Sequence, residues 1–203
     1  MYHLYYAQTG NGRRPAVMLE ECGLAYQATK LDMAKGEHKA PDYLALNPQG
    51  AVPVLVIEDG GKTTALAQAG AILLHLAETT GKFLPKDPAA RANVMQWFMT
   101  AQTDAAPASS AIFLASAGTL PDKSPANSAF FESRLLSLFK LFDGQLGKSA
   151  YLAGSEPTIA DFALITVVEG RASLLEKTPG LEGLKRWHAA MKARPATAKA
   201  LKI

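Results

Sequence analysis

Cysteine is nearly absent from this chain of 203 residues, in which Cys22 is the only example. One cysteine excludes a disulfide within the chain and a metal site built from several cysteines, and such usage is typical of a reducing compartment. The first residues contain no long apolar run that would indicate a secretory signal. Later apolar stretches are too short or too interrupted to span a membrane. We therefore expect a cytoplasmic protein that binds no metal.

An excess of one charge is also lacking. The 21 Lys and Arg residues against 18 Asp and Glu residues leave a net charge of +3, without a dense basic block. Nucleic-acid-binding domains usually concentrate basic residues on one face, so we expect no nucleic-acid or membrane partner. The mild basicity instead suits an anionic small ligand. Because apolar residues make up 48% and charged residues 19% of the chain, we expect a folded protein with a substantial core.

The beginning of the chain has a strand–helix–strand pattern. Apolar runs over residues 2–7 and 26–31 predict two strands. Between them, apolar residues follow a helical spacing from Pro15 onward, and Gly23 suits the C-terminal cap of a helix. This order predicts parallel pairing of the two strands with a right-handed crossover.

A proline opens the next predicted strand, over residues 52–57, and a turn leads to an edge strand over residues 63–66. A βαβ unit followed by such a hairpin is the arrangement of the thioredoxin fold. Only about 5–6% of X–Pro bonds are cis, but in this fold the bond before the proline is cis, which predicts a cis bond between Val52 and Pro53. That bond turns the Val52 backbone outward, where it can pair with an extended peptide as an added strand would.

The rest of the chain is predicted to be helical. Further helices are expected over residues 41–46, 69–78, 88–117, 126–146, 158–175 and 181–193, with a short helical tail after Pro195. Gly and Pro residues around residues 81–88 indicate a linker. We predict an α+β thioredoxin-like N-terminal domain over residues 1–79, a linker over 80–88 and an all-α C-terminal domain over 89–203.

Several segments together resemble one known family, the cytosolic glutathione transferases of the bacterial nu-like or theta-like kind. They occur in the family's order and cover nearly the whole chain. They are residues 9–14 with 19–24, 36–39 with 47–55, 68–76, 83–85 with 91–97, and 158–161. The resemblance implies that glutathione is the co-substrate and that the protein is a homodimer.

The loop after the first strand is where this family activates the glutathione thiol. The resemblance assigns Asn11 first and Thr9 second as donors of hydrogen bonds to the sulfur. Such donors raise the thiolate fraction of a thiol whose pKa is near 8.5 in isolation. Without the resemblance, both residues would be interpreted as turn formers, with Asn11 also capping the helix. No Tyr, Ser or Cys lies in this loop, which argues against the tyrosine-type and cysteine-type classes.

The remaining glutathione contacts are also assigned by resemblance. Gln68 and Ala69 open the third predicted helix, whose free N–H groups and positive end suit the γ-glutamyl carboxylate. Ala69 departs from the serine usual in the family, and one lost hydrogen bond of roughly 1 kcal/mol predicts a several-fold loss of affinity. His38 matches a position that holds the glycyl carboxylate, although an exposed loop histidine is more often simply solvated. Gln49 is a partial substitute for a lysine that Ala51 replaces.

Two charged residues complete the predicted site. Arg13 could attract anionic groups at the pocket rim, or it could be a solvated residue of a first helical turn. Asp104 matches an acid that, in related bacterial enzymes, reaches across a two-fold dimer to the γ-glutamyl amine of the neighbouring site. Its alternative is an ordinary surface acid on a long helix. Thr158 and Asp161 are interpreted as a capping box with a folding function.

Three functions remain open at this stage. The first is activation of the glutathione thiol for attack on small hydrophobic electrophiles. The second is glutathione-dependent reduction of disulfides or peroxides without a protein cysteine. The resemblance to nu-like relatives favours this chemistry. The third is a binding or regulatory protein of the same fold without turnover, which the departures at Ala69 and Ala51 keep open.

Overall fold

The computed structural model describes residues 1–116 and 124–203. Contacts between Cα atoms divide the chain into two compact units. The first comprises Met1–Lys82 together with Ala193–Ile203, and the second comprises Phe83–Lys192. The predicted domain boundaries grouped residues 193–203 with the helical part of the chain, so the observed grouping differs at the C-terminal end.

The first unit contains a four-stranded mixed sheet. Its strands are β1 (Tyr2–Tyr6), β2 (Gln27–Lys30), β3 (Val54–Asp59) and β4 (Lys62–Ala67), in the order β2-β1-β3-β4. β1 and β2 are parallel, whereas β3 is antiparallel to both β1 and β4. The predicted parallel βαβ unit, the hairpin and the position of β4 at an edge are confirmed, and with them the thioredoxin-like fold.

Helices cover the sheet of the first unit. They are α1 (Gly10–Cys22), α2 (Pro41–Leu46) and α3 (Ala69–Thr80), with a 3₁₀ turn at Glu37–Lys39. Side chains of a strand alternate between its two faces, and both faces here are buried. Leu4 and its cross-strand partner Leu55 are fully buried on one face. On the other face, Val54 and Val56 form a core cluster with Tyr43 of α2.

The second unit is helical in the part that the structure describes. It contains α4 (Pro88–Met99), a π-helical segment (Thr100–Ala105), α5 (Ala106–Ser116), α6 (Pro125–Leu146), α7 (Ile159–Glu169), α8 (Ala172–Lys177) and most of α9 (Glu182–Ala193). None of the helices within residues 1–116 and 124–203 is long and apolar enough to cross a membrane.

Two predicted helices are each divided in the structure. The helix predicted over residues 88–117 is interrupted by the π-helical segment, and its predicted end lies outside the described residues. The helix predicted over residues 158–175 ends at Glu169, because Gly170 is a poor helix former and Arg171 has non-helical dihedral angles at the start of α8. The capping box before α7 is confirmed, with the carboxylate of Asp161 accepting from the Thr158 backbone N–H at 2.9 Å.

The last helix, α10 (Pro195–Ala200), packs on α1 within the first unit. The Glu21 carboxylate of α1 is 4% exposed and accepts hydrogen bonds from Arg194 Nε at 2.9 Å and Thr197 Oγ1 at 2.7 Å. Lys199 adds a more exposed ion pair with Glu20 at 2.8 Å. A buried carboxylate needs such partners, which explains why residues 193–203 group with the first unit.

Candidate functional site

Three connections of the first unit meet at one edge of its sheet. Tyr5 lies opposite Val54 in the β1–β3 ladder, so the loop after β1 and the residues before β3 are at the same end. Val54 also lies opposite Ala67 at the end of β4, so the connection through Gln68 to α3 reaches that end too. The register therefore brings together the loop of Thr9, the Val52–Pro53 segment and the start of α3.

The loop after β1 is held by short backbone contacts. Thr9 is the N-cap of α1, where its Oγ1 accepts a hydrogen bond from the Gly12 N–H at 3.0 Å and its own N–H donates to Ala7 O at 2.7 Å. The capping residue is thus Thr9 and not Asn11. Asn11 lies in the first turn of α1 with its side chain exposed. Thr9 is also exposed, so both polar side chains are accessible to a ligand.

The peptide bond between Val52 and Pro53 is cis, as predicted. Two donors fix the residue before Val52, since the Asn47 amide and the Tyr43 hydroxyl each donate to Ala51 O at 2.7 Å. Burial raises the pKa of Tyr43 to about 12, so this hydroxyl remains a donor at neutral pH. Val52 is half-buried and precedes the first residue of β3. The sequence analysis did not identify Tyr43 or Asn47 as supports, although Asn47 lies in the motif that suggested the family.

The start of α3 combines an unusual backbone with accessible donors. Gln68 has φ 72° and ψ 115°, a conformation that costs a non-glycine residue about 1–3 kcal/mol and that clusters at ligand sites. Its Nε2 donates to Gln49 Oε1 at 3.3 Å, which joins two predicted site residues. Ala69 is buried in the first turn of α3, where backbone N–H groups lack partners within the helix.

The 3₁₀ turn places a histidine with an unsatisfied nitrogen. Nδ1 of His38 is buried, and it has no hydrogen-bond partner in the described part of the chain. Buried polar atoms are nearly always paired, so we expect a water or a ligand atom as the partner of this nitrogen. The neighbouring Lys39 donates to Gln49 O at 3.2 Å and to Gly50 O at 3.1 Å, which fixes the loop before Val52. Lys39 was missed in the sequence because its amine contacts backbone atoms across a turn.

Two other predicted residues are placed differently. Arg13 of α1 is half-buried, and its Nε donates to Ile203 O at 3.2 Å. This contact fixes part of the guanidinium within the first unit. Asp104 belongs to the second unit and lies half-buried in the π-helical segment. π-Helical turns are rare in proteins, and those that occur are often found at functional sites. The sequence predicted an uninterrupted helix here.

A pocket of about 580 Å³ lies beside the Thr9 loop in the first unit. It forms between the loop after β1 and the loop after β2, and its walls include Ala7, Thr9, Lys30, Leu31, Asp32 and Glu37. This volume is within the usual range for small-molecule sites. The sequence analysis did not assign the charged residues of this second loop to a site, although Glu37 lies within the motif at residues 36–39.

Cys22 and the other possible metal ligands within the described residues offer no competing site. Cys22 is buried on α1, and burial raises the pKa of its thiol. Its Sγ contacts Thr80 Oγ1 at 3.6 Å, which fits a packing role for this side chain. Within residues 1–116 and 124–203, no group of three or more His, Cys, Asp or Glu side chains is arranged to hold a metal ion.

Known proteins are similar to this chain in sequence and architecture. The family models for the glutathione S-transferase N-terminal and C-terminal domains match residues 11–79 and 112–202. Disulfide-bond oxidoreductase YfcG of Escherichia coli is 32% identical over 206 residues, covering 99% of this chain and 94% of the relative.

Two solved bacterial structures are also similar. A glutathione transferase family member from Pseudomonas fluorescens, with two glutathione bound, has a TM-score of 0.91 at 28% identity, covering 100% of this chain and 92% of that one. A glutathione transferase from Pseudomonas putida, with one glutathione disulfide bound per subunit, has a TM-score of 0.88 at 28% identity, covering 100% and 91%. With both family models and a relative aligned along nearly its whole length, this chain belongs to the glutathione S-transferase family.

Proposed function

We propose that this protein binds glutathione at the sheet edge of its first unit and uses the glutathione thiol to reduce disulfide bonds. The observation that carries the proposal is the convergence of three connections there. One presents exposed Thr9 and Asn11, one presents the backbone of Val52, and one presents the start of α3. Each offers the type of group that one part of glutathione needs.

The tripeptide is assigned to these groups along its length. Its cysteinyl backbone pairs with the Val52 backbone in the manner of an added strand. The γ-glutamyl carboxylate accepts from the free N–H groups of α3 beside Gln68 and Ala69, where the helix dipole favours an anion. The glycyl carboxylate lies towards His38, whose unpaired Nδ1 would gain a partner, with Gln49 beside it. Arg13 contributes positive charge at the rim.

The thiol lies against the Thr9 loop. Thr9 and Asn11 donate hydrogen bonds that favour the thiolate over the thiol and so lower the pKa of bound glutathione. The N-terminal end of α1 adds its positive potential to the same anion. Because Cys22 is buried on α1, the attacking sulfur is supplied by glutathione and not by the protein.

The reaction is two successive thiol–disulfide exchanges. The bound glutathione thiolate attacks one sulfur of a disulfide, forms a mixed disulfide and releases the other sulfur as a thiolate, which takes up a proton. The thiolate of a second glutathione then attacks the glutathione sulfur of the mixed disulfide. That step yields glutathione disulfide and the second thiol. Two glutathione molecules are oxidised for each disulfide that is reduced.

Reduction is favoured over conjugation by two comparisons. The relative aligned over 99% of this chain is named a disulfide-bond oxidoreductase, and the Pseudomonas putida structure holds the oxidised product of such a reaction, glutathione disulfide. Conjugation to small hydrophobic electrophiles is the second candidate, supported by the family description of both domains. It uses the same activated thiolate on a carbon atom in place of a sulfur atom.

Three measurements on the purified protein test the proposal. These are the dissociation constant for glutathione, the reduction of hydroxyethyl disulfide coupled to glutathione reductase, and conjugation to a chlorodinitroarene. We expect glutathione binding and disulfide turnover that exceeds conjugation. Conjugation without disulfide reduction would assign the second candidate. Glutathione binding without either turnover would indicate the third function, a glutathione-binding protein that catalyses neither reaction.

We also propose a cytoplasmic homodimer. Reduced glutathione is the co-substrate and the chain has one cysteine, both of which fit a reducing compartment. Large apolar side chains are exposed on two helices, Phe113 and Leu114 on α5 and Phe130 and Leu141 on α6, and exposed apolar patches favour association. In the dimer, Asp104 of one subunit would reach the γ-glutamyl amine of the other. Sedimentation showing only monomer at micromolar concentration would refute the dimer.

A further inference from the structure

The pocket beside Thr9 has a role that the glutathione contacts leave open. We infer that it binds the half of the disulfide that the bound glutathione attacks, and that it selects a half with a free α-amino-acid end, carrying both a carboxylate and an ammonium group. This inference rests on the proposed function, because it names the substrate class of that reaction. The residues that carry it are Lys30, Asp32 and Glu37, which line the pocket together with Thr9.

The position of the pocket links it to the sulfur. Thr9 is one of the two proposed thiol donors, and it is also part of the pocket wall. A disulfide whose sulfur meets the thiolate at Thr9 can therefore place the half that carries this sulfur in the pocket. A volume of about 580 Å³ accommodates a half the size of an amino acid. Ala7, Leu31 and Met33, which have apolar side chains, also line the pocket.

The loop that supplies the carboxylates is closed by hydrogen bonds. The Asp32 N–H donates to Glu37 Oε2 at 2.7 Å, and the Glu37 N–H donates back to Asp32 O at 3.2 Å. Asp32 Oδ1 accepts from the N–H groups of Ala34 at 3.0 Å and Lys35 at 3.2 Å. These bonds orient both carboxylates before any ligand arrives, which reduces the entropic cost of binding.

The charges of the pocket suit a zwitterion. Among the residues that the structure describes, Lys30 forms no ion pair, so its ammonium is available for a carboxylate. Glu37 uses one carboxylate oxygen in the loop and keeps the other for an ammonium. Asp32 Oδ2 forms a long ion pair, at 3.5 Å, with the exposed Lys35 amine. A purely anionic half would meet two carboxylates, and a purely cationic half would meet Lys30, whereas an amino-acid end satisfies both signs.

The bonds of the reaction remain those of thiol–disulfide exchange. The glutathione thiolate attacks the sulfur of the half held in the pocket, and the other half leaves as a thiolate. Two sources offer the required chemistry, a free cysteine half and the γ-glutamyl end of a second glutathione. The experiment separates them.

The first measurement is substrate preference. We expect kcat/KM for cystine to exceed kcat/KM for cystamine, which lacks the carboxylates, and for dithiodipropionate, which lacks the ammonium groups. The ratio of kcat/KM for cystine to that for hydroxyethyl disulfide should fall about three- to fivefold in Lys30→Gln, the scale of one exposed ion pair. Lys62→Gln on β4 removes the same charge away from the pocket and should leave the ratio within about twofold.

The second measurement needs no turnover. S-methylcysteine, which cannot exchange, is titrated into the protein saturated with glutathione, and binding is followed by NMR. We expect its dissociation constant to rise about three- to fivefold in both Lys30→Gln and Glu37→Gln and to be unchanged in Lys62→Gln. If glutathione alone binds two per chain, and the second is weakened in Lys30→Gln, the γ-glutamyl end is the source.

The two proposals fail in different ways. In the first case, the protein reduces disulfides, but Lys30→Gln changes neither the ratio of kcat/KM for cystine to that for hydroxyethyl disulfide nor the binding of S-methylcysteine. This result overturns the proposed role of the pocket and leaves the reductase function standing. Lys30-dependent S-methylcysteine binding without any disulfide turnover overturns the reductase and leaves the pocket as an amino-acid site. Absence of S-methylcysteine binding to the unsubstituted protein overturns the pocket directly.

Discussion

Thr9 Oγ1 accepts a hydrogen bond of 3.0 Å from the backbone N–H of Gly12. A hydroxyl has one donor and two acceptor positions, so this bond leaves the hydroxyl proton of Thr9 for a sulfur anion. The helix cap thereby holds the oxygen in place while the proton remains free to point at the ligand. Asn11 differs from Thr9 because its side chain does not cap the helix. Its amide is exposed in the first turn of α1 and can donate to a ligand.

Removing the Asn11 amide tests the thiol assignment with little effect on folding. We expect Asn11→Ala to lower disulfide turnover about ten- to a hundredfold, because loss of one preorganised donor costs about two to three powers of ten at an oxyanion and less at sulfur. Glutathione affinity should change little, since the amide acts on the thiolate. The pKa of bound glutathione, measured by thiolate absorbance, should rise.

Thr9 variants provide the comparison. Thr9→Ser keeps both the cap and the donor and should retain turnover. Thr9→Ala loses both and should lower the free energy of unfolding by about 1 kcal/mol as well. If Asn11→Ala leaves turnover and the thiol pKa unchanged while Thr9→Ala alters them, Thr9 is the activating residue. If neither substitution affects the thiol pKa, the loop does not activate glutathione.

Gly12 is required by the close approach of the loop to α1. A Cβ at this position would overlap Ala7 O and would lie only 3.1 Å from Thr9 Oγ1. Gly12→Ala should therefore lower the free energy of unfolding in urea by about 1–3 kcal/mol, as overpacking does, and should displace the thiol donors. Gly144 in α6 is the matched control, because an added Cβ meets nothing within 4 Å. Gly144→Ala should stabilise the protein by about 0.5–1 kcal/mol, and equal effects at both sites would contradict the argument.

Local patterns explain how much of this arrangement could be predicted. Apolar runs and turn residues gave the four strands, and the Thr158–Asp161 spacing gave the start of α7, because strands and capping boxes depend on neighbouring residues. The cis bond before Pro53 could be predicted from the order of strands and helices, because that order indicated the thioredoxin fold. The family resemblance, not periodicity, indicated a role for Thr9 and Asn11.

Features that depend on distant contacts were not predictable. The grouping of residues 193–203 with the first unit involves Glu21 and Arg194, which are 173 residues apart in sequence. The π-helical segment has the composition of an ordinary helix, so no local signal distinguishes it. The pocket arises where two loops from different strands meet. Lys30 at the end of β2 lies in no motif, and the motif that contains Glu37 does not indicate a pocket.

Gln68 has a backbone conformation that is unfavourable for any residue except glycine. At φ 72° and ψ 115°, replacement by glycine should raise the free energy of unfolding by about 1 kcal/mol, because the conformation costs a non-glycine residue about 1–3 kcal/mol. Glutathione affinity, measured by calorimetry, should fall several-fold, since the contact of the Gln68 side chain with Gln49 and its proposed contact with glutathione are lost. Higher stability with weaker binding is the expected signature of strain kept for function.

Gly81 supplies the opposite substitution. It ends α3 at φ 68°, and an added Cβ would meet nothing within 4 Å, so only the backbone conformation opposes a side chain. Gly81→Ala should destabilise the protein by about 1 kcal/mol without changing glutathione affinity. If Gln68→Gly destabilises the protein instead, its side-chain contacts outweigh the backbone cost and the strain argument is wrong.

The ion pair of Glu21 and Arg194 should make the attachment of α10 sensitive to acid. Burial by itself raises the pKa of Glu21, but the hydrogen bonds from Arg194 and Thr197 and the charge of Arg194 outweigh it and hold that pKa below its ordinary value of 4.5. A carboxylate with a lowered folded pKa stabilises the protein above its unfolded pKa. That contribution is lost as the pH falls below about 4.5 and through the folded value.

Arg194→Met isolates this contribution. At pH 7 it should lower the free energy of unfolding by about 2–3 kcal/mol, because it leaves the buried Glu21 carboxylate without its charged partner. The difference from the unsubstituted protein should shrink towards pH 3, because the contribution of the ionised Glu21 carboxylate declines once the pH is below its unfolded pKa of about 4.5. Lys199→Met is the control, since Lys199 is 70% exposed in its pair with Glu20 and such a pair is worth at most about 1 kcal/mol. Urea titrations at both pH values measure the two differences, and an Arg194→Met effect of the same size at pH 3 would show that packing of the side chain, and not its charge, holds α10 on α1.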